Sequence, residues 1–273
     1  MDKDPVIEVY NNNQEEIQGI FRSRLITQIL LALGEGSKPL SELREITGSS
    51  SQAIIPKIRT LESMNFIESQ KEGYSLTTIG AILEKKIEQL VMIVGTSDSK
   101  REFWCAHDTG SIPFELLEEI GDLYNSEIIR DIDENILSVY SLFLKILNEA
   151  EAVYAVSSIM SPAHADAIRN TVQRNIPIEL IVTPDIIKTM TGEPYISTMK
   201  SISEFDNFRV FVFPEQIKIG MTATDKFLSL GLYSHENECY DSSSDLVSDD
   251  QTAIGWSRKL FDYYKSKSSE FKF

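Results

Sequence analysis

The chain has 273 residues, 42% hydrophobic and 25% charged. That is enough for roughly two domains of about 150 residues, with cores that need no disulfide or metal staples. Its formal net charge of −16 excludes a general polyanion binder.

The charge is uneven. Residues 1–95 hold 10 basic and 13 acidic residues, a net of −3, and residues 96–273 hold 16 and 29, a net of −13. Any DNA contact therefore belongs to the first third. No run approaches the ~18 uninterrupted apolar residues of a membrane span. The acidic Met1-Asp2-Lys3-Asp4 leads into no apolar signal-peptide core. Cys105 and Cys239 are far apart and match no Cys-x-x-Cys spacing, so a soluble protein of the reducing cytoplasm is expected.

Residues 14–33 predict one amphipathic helix, with Ile17, Ile20, Phe21, Leu25, Leu30 and Leu33 on a single stripe, stopped by Gly34 and Gly36. Pro39 suits the first turn of a second helix carrying Leu40, Leu43 and Ile46 and ended by Gly48. Ser49, Ser50 and Ser51 offer N-caps for a third helix, which turns Ile54, Ile58, Leu61 and Met64 inward. Phe66-Ile67 and Tyr74-Ser75-Leu76-Thr77, joined around Gly73, predict a hairpin. From Thr78 to Val94 a further helix presents Ile79, Ile82, Leu83, Ile87, Leu90 and Val91. This order describes a winged helix-turn-helix with the hairpin as wing. The last helix serves either as a dimer seam or as a strut on the second domain.

In such a fold the third helix enters the major groove. With Ile54, Ile58 and Leu61 facing the core, the opposite face presents Ser51, Gln52, Ile55, Pro56, Lys57 and Arg59. Glutamine suits adenine, arginine suits guanine and serine either. Lys57 and the wing residue Lys71 suit phosphate, as do the hydroxyls and free amides of Ser49–Ser51 at the helix start. Pro56 costs about 3 kcal/mol inside a helix, so the helix either starts late, near Gln52, or bends there.

Beyond Gly95, helical patterns span Pro113–Tyr124 and Ile132–Ala150. Apolar segments follow at Val153–Val156, Ile178–Val182, Val210–Phe213, Ile217–Met221 and Phe227–Leu232, with a helix at Ala163–Arg174 between the first two. Ser248-Asp249-Asp250-Gln251 has capping-box form before a last helix with Ile254, Ser257, Leu260, Phe261 and Tyr264 on one face. The overall expectation is a two-domain α+β protein: a winged helix over 1–95 and an α/β sensor-like domain with a mixed sheet over 96–273.

His107, His164 and His235 have no metal-ligand spacing and no lysine two residues on, as a phospholipase D-type site requires. GxSxG, P-loop and GxGxxG patterns are missing too, so no catalytic set, metal or cofactor is expected. Trp104, His107 and Asp108 cluster before Pro113. They form either the wall of an effector pocket or a packed loop tying the linker to the sensor domain.

Three groups of residues carry a family resemblance. Ser49-Ser50-Ser51, Pro56-Lys57-Ile58, Leu61-Glu62 and Tyr74-Ser75-Leu76-Thr77-Thr78-Ile79-Gly80 form the first. The second is the Trp104…His107-Asp108…Ile112-Pro113 segment. The third is the closing pattern Leu228–Leu232, Tyr240-Asp241, Asp245-Leu246, Ile254-Gly255-Trp256, Leu260-Phe261 and Tyr263-Tyr264. Together they resemble the archaeal winged-helix regulators of the Fil-type methanogenesis regulatory family, over residues 14–266. Ser257 stands where that pattern has glycine. The resemblance implies a homodimeric regulator of double-stranded DNA with a carboxy-terminal signal domain and an unassigned small-molecule effector. A protein-interaction adaptor and a small-molecule enzyme are the competing classes.

Overall fold

The computed structural model describes residues 5–133 and 136–273; the acidic start at 1–4 lies outside them. The chain divides into two compact units, Met1–Val91 and Met92–Phe273.

The first unit opens with α1 (Pro5–Asn12), α2 (Gln14–Arg22) and α3 (Arg24–Gly34). The single helix expected over 14–33 is thus two. Ser23 is extended at φ −94° and ψ 98°, and its hydroxyl accepts the Ile26 amide at 3.4 Å, capping α3. This break resets the helical phase, so Ile26, Ile29 and Leu30 enter the core while Phe21 stays 50% exposed. In α4 (Leu40–Thr47) Pro39 is the N-cap, one place earlier than its expected first-turn position. Gly48 takes the left-handed φ of 61° that ends the helix, and Ser49 N–H closes back on Arg44 O at 3.1 Å.

α5 (Ser51–Ser63) buries Ile54, Ile58 and Leu61, as the spacing predicts. β1 (Ile67–Gln70) and β2 (Gly73–Leu76) pair antiparallel around Lys71-Glu72. Lys38 and Tyr74 exchange backbone hydrogen bonds of 3.0 and 2.9 Å beside this hairpin. α6 (Thr78–Ser99) runs past the expected end at Val94. Only part of its apolar face is covered: Ile87 is buried, whereas Ile79, Ile82, Leu90, Val91 and Val94 are exposed.

In the second unit α7 (Arg101–Ala106), β3 (His107–Asp108), α8 (Phe114–Leu117), a 3₁₀ turn at Ile120–Leu123 and β4 (Glu127–Arg130) come first. The helix expected over Pro113–Tyr124 is broken: α8 ends at Leu117, and the Leu116 carbonyl accepts Trp256 Nε1 at 2.8 Å and the Glu119 amide, three residues on, at 3.2 Å. The next expected helix, from Ile132, is α9 (Ser138–Glu149); its part at 134–135 lies outside the described residues. Then follow β5 (Val153–Ser157), α10 (Pro162–Gln173), β6 (Ile178–Val182), α11 (Pro184–Met190), α12 (Ile196–Ser203) and β7 (Phe208–Val212). The chain closes with β8 (Ile219–Thr224), β9 (Leu228–Ser234), β10 (Tyr240–Ser248), α13 (Gln251–Ser266) and β11 (Ser269–Phe271).

These strands form one mixed sheet in the order β11-β7-β6-β5-β8-β9-β10-β4, with β3 on β9. β5, β6 and β7 run parallel through helical crossovers, and every other pairing is antiparallel. On one face Val156, Ile181, Phe211, Met221, Leu230 and Leu246 join Trp256, Leu260 and Phe261 of α13 in a core. On the other, Val153, Leu180, Val182 and Val210 pack with residues of α9, α10 and α12. Among the described residues no helix is long and apolar enough to cross a membrane.

Candidate functional site

Two places collect groups that fold alone does not require. The first is the outer face of α5. Ser50 is its N-cap, accepting the Ala53 amide at 3.4 Å; Ser51 is the first helical residue, and Ser49 donates to Thr47 O at 3.2 Å. The helix starts at Ser51, one residue before Gln52, and runs on through Pro56, which sits exposed at its sixth position. Proline there supplies no N–H to the carbonyl of Gln52. Its ring lies on the exposed side, the side turned away from Ile54, Ile58 and Leu61. Pro56→Ala is therefore expected to stabilise the first unit by about 2 kcal/mol, the restored helix bond outweighing the looser unfolded chain. Urea unfolding of the two proteins measures this, and an unchanged or lowered midpoint refutes it.

Gln52 and Arg59 are exposed on one side of α5, Lys57 is half-buried further round the helix, and Lys71 is exposed at the hairpin tip. Among the described residues none of these four side chains has an intramolecular hydrogen-bond or ion-pair partner. Elsewhere on the chain cations are commonly paired, as Arg209 is with Glu179 and Glu270 and Lys259 with Glu119.

The second place is a cavity of about 150 Å³ between α9, α10 and the adjoining sheet face. Strand alternation builds it. Leu228, Leu230 and Leu232 of β9 face α13, so Ser229, Gly231 and Tyr233 face the opposite way. Thr222 of β8 and Asp245 of β10 belong to the same lining, and both are buried. Apolar walls come from Val139, Phe143 and Leu147 of α9, Ile168 of α10 and Ala155 of β5. The result is a mostly apolar chamber with its acidic group at one end and His164 across from it.

Asp245, 7% exposed, defines that end. Ser229 Oγ donates to its Oδ2 at 2.6 Å, while Oδ1 has no partner. Burial pushes the Asp245 carboxyl up to about 6, the nearby Asp241 and Asp131 adding to the effect against the Ser229 hydrogen bond and His107. The Tyr240 ring lies over Gly220 and Gly231, where any Cβ would collide with its hydroxyl. Burial, then the Asp245 charge, holds that phenol well above its usual range. Across the chamber His164 Nδ1 meets Ser161 Oγ at 2.7 Å beneath the edges of Tyr140 and Phe143, and burial lowers its pKa toward the neutral imidazole.

Trp104, His107 and Asp108 lie outside this chamber. His107 is buried, with Nδ1 2.7 Å from Phe103 O and Nε2 3.0 Å from Asp241 Oδ2. Asp108 accepts the Gly110 amide at 2.8 Å and Lys218 Nζ at 3.1 Å, and both hold its carboxyl below the usual range. Trp104 Nε1 donates to Thr96 O at 3.3 Å and its ring stands edge-on to Phe103. Their polar atoms are committed to holding the segment in place. The chamber's own residues give little warning in the sequence, because Ser229 alternates with leucines and Tyr240, Ser242 and Asp245 lie in a polar run, as an outward-facing strand edge would.

A two-unit protein with a polar helix side and a separate, partly open chamber is the class that the geometry defines. Residues 14–95 match the family model described as the methanogenesis regulatory protein FilR1 N-terminal domain, and residues 136–267 match the FilR1 middle domain. The chain belongs to this FilR1 family. Methanogenesis regulatory protein FilR1 of Methanothrix harundinacea (strain 6Ac) is 27% identical over 251 residues, 91% of this chain and 56% of that protein. The chain thus spans little more than half the length of that curated relative. Among solved structures, TrmBL2, described as an archaeal chromatin protein with a novel mode of DNA binding, is 16% identical at a TM-score of 0.41, over 95% of this chain and 99% of that one. Nuc, a phospholipase D family member from Salmonella typhimurium, is 10% identical at a TM-score of 0.41, over 54% of this chain and 98% of that one.

Proposed function

We propose that the chain is a DNA-binding transcriptional regulator rather than an enzyme. Residues 1–95 act as a winged helix-turn-helix on an operator, and residues 96–273 act as a domain that senses a small molecule. The observation that carries this reading is on α5 and the hairpin: Gln52, Lys57, Arg59 and Lys71 are polar or cationic, and among the described residues none of their side chains has a hydrogen-bond or ion-pair partner. Paired cations would have to break their bonds to reach phosphate; these do not. The regulatory family and its matched amino-terminal domain support the same reading.

A homodimer fits the exposed Ile79, Ile82, Leu90 and Val94 of α6, which follow one another along one helix face. A dimer also doubles three cations per copy and pairs two half-sites about one turn apart. With roughly four phosphate contacts, from Lys57 and Lys71 of the two copies, log affinity falls against log salt with a slope near −4. The expected working compartment is the cytoplasm, where the operator lies. A protein-interaction adaptor is the second reading, favoured by the net charge of −16.

The test is a gel-shift titration against the protein's own upstream promoter and a shuffled duplex at two salt concentrations. Preferential, salt-steep binding supports the regulator, and equal or absent binding at both salts supports the adaptor. On the preferred site, Arg59→Ala is expected to cost about 1–3 kcal/mol and to relax selectivity at one base. An equal loss on every sequence reassigns Arg59 to phosphate.

A further inference from the structure

The chamber in the second unit says what it would take. Its volume of about 150 Å³ is about that of a cavity able to hold a benzene-sized molecule. Its walls are mostly apolar, His164 being engaged by Ser161, and at one end Asp245 Oδ1 is buried without a hydrogen bond. Among the described residues no lysine or arginine lines the chamber and none pairs with the Asp245 carboxylate. A buried, unpaired carboxylate is costly, and the group that relieves it best is a cation bearing N–H donors. Tyr240 Oη stands at the same end, beside Gly231, and offers a second oxygen.

An anion is disfavoured at that end. Asp245 would repel it, and Asp241 and Asp131 reinforce the negative potential that Asp245 feels. A neutral alcohol could donate one hydrogen bond but would leave the charge uncompensated. Opposite, His164 is buried and bonded to Ser161, and Phe143 and Tyr140 present rings to the chamber.

We infer that this chamber binds a small apolar amine, its ammonium group on Asp245 Oδ1 and Tyr240 Oη and its hydrocarbon body between α9 and α10. The inference deepens the sensing role proposed for residues 96–273 and names the ligand class of that domain. Hydrogen bonds to charged groups are worth about twice those between neutral ones, so amines should outbind isosteric alcohols by about ten-fold.

The experiment uses the full chain and three probes of one shape: benzylamine, benzyl alcohol and benzoate, titrated calorimetrically at neutral pH. Benzylamine is expected to bind about ten-fold tighter than benzyl alcohol, with benzoate weakest. In Asp245→Asn the amine and the alcohol should bind alike, and in Ala155→Phe, which fills the chamber, neither should bind. Benzoate matching benzylamine, an amine preference that survives Asp245→Asn, or no binding by any of the three at millimolar concentration overturns the site. Gel shifts with and without benzylamine separate the two levels. Binding without a change in DNA affinity removes the sensing role and leaves the amine site standing. Failure to bind removes the site and leaves DNA recognition by α5 untouched.

Discussion

Asp245→Asn is expected to stabilise the second unit at neutral pH by up to about 3 kcal/mol, an unusual direction for a change at a buried, hydrogen-bonded position. The folded carboxyl is pushed up to about 6 from an ordinary value of 3.8, and each unit of pKa corresponds to about 1.4 kcal/mol. The sign follows from proton binding. Between about pH 4 and 6 the folded chain holds this proton more tightly than the unfolded chain, so stability falls as pH rises through that window. Above it the full cost of an ionised, half-partnered carboxylate is present. Below it the carboxyl is neutral in both states and the cost vanishes.

Asparagine keeps the acceptor for Ser229 Oγ and never ionises. At roughly 2–4 °C per kcal/mol for a unit of this size, the variant should melt about 6–12 °C higher at neutral pH and near the parent temperature at pH 4. Calorimetric scans at the two pH values decide the matter. A variant that melts lower at neutral pH, or a gain that does not shrink in acid, shows that Asp245 is not a strained carboxylate. Such a cost at the end of the chamber is what the inferred amine site would account for, since a bound cation offsets it.

The same residue shows where sequence reading stops. Ile54, Ile58 and Leu61, and the β6 segment Ile178–Val182, follow apolar periodicities that only one packing satisfies, and both stand in the structure as the spacing predicts. β10 does not: Tyr-Asp-Ser-Ser-Ser-Asp-Leu-Val-Ser has a turn-like composition, yet it pairs with both β9 and β4. Its polar residues look solvated because a cavity, like solvent, accommodates polar groups that a packed core excludes. The capping pattern at Ser248–Gln251 is displaced for a related reason. Ser248 is still the last residue of β10, so Asp250, whose carboxylate accepts the Thr252 amide at 2.8 Å, caps α13. β11 sits in a tail of serines and lysines, and only its backbone pairing with β7 makes it a strand. The chamber draws on α9, α10, β5, β8, β9 and β10, and no local pattern announces contacts between segments so far apart. Trp104, His107 and Asp108 draw attention by their chemistry, but each finds its partner inside the protein.

Gly80→Ala tests the opposite case, a motif legible in sequence whose physical reason is visible only in three dimensions. The Tyr74-x-Leu76-Thr77-x-x-Gly80 pattern ends at the first turn of α6, where the Thr77 hydroxyl accepts the Gly80 amide at 3.0 Å. Thr77 also ties this turn to the start of the hairpin: its amide donates to Phe66 O at 3.0 Å and its hydroxyl to Asn65 O at 2.7 Å. These bonds draw α6 so close to Phe66 that a Cβ on Gly80 would overlap the Phe66 carbonyl oxygen. A flexible side chain could swing away from the intruding methyl, but a backbone carbonyl held by Thr77 cannot move without breaking that bond. Helix propensity favours alanine by about 1 kcal/mol, so a stabilised variant would show that the turn has room. The clash against backbone is expected to win, with a net loss of at least about 3 kcal/mol in the first unit. Loss of amide protection confined to residues before Val91 in hydrogen exchange, together with weaker promoter binding, is the expected signature. Unchanged protection there refutes the close approach of α6 to Phe66 as the reason for the glycine.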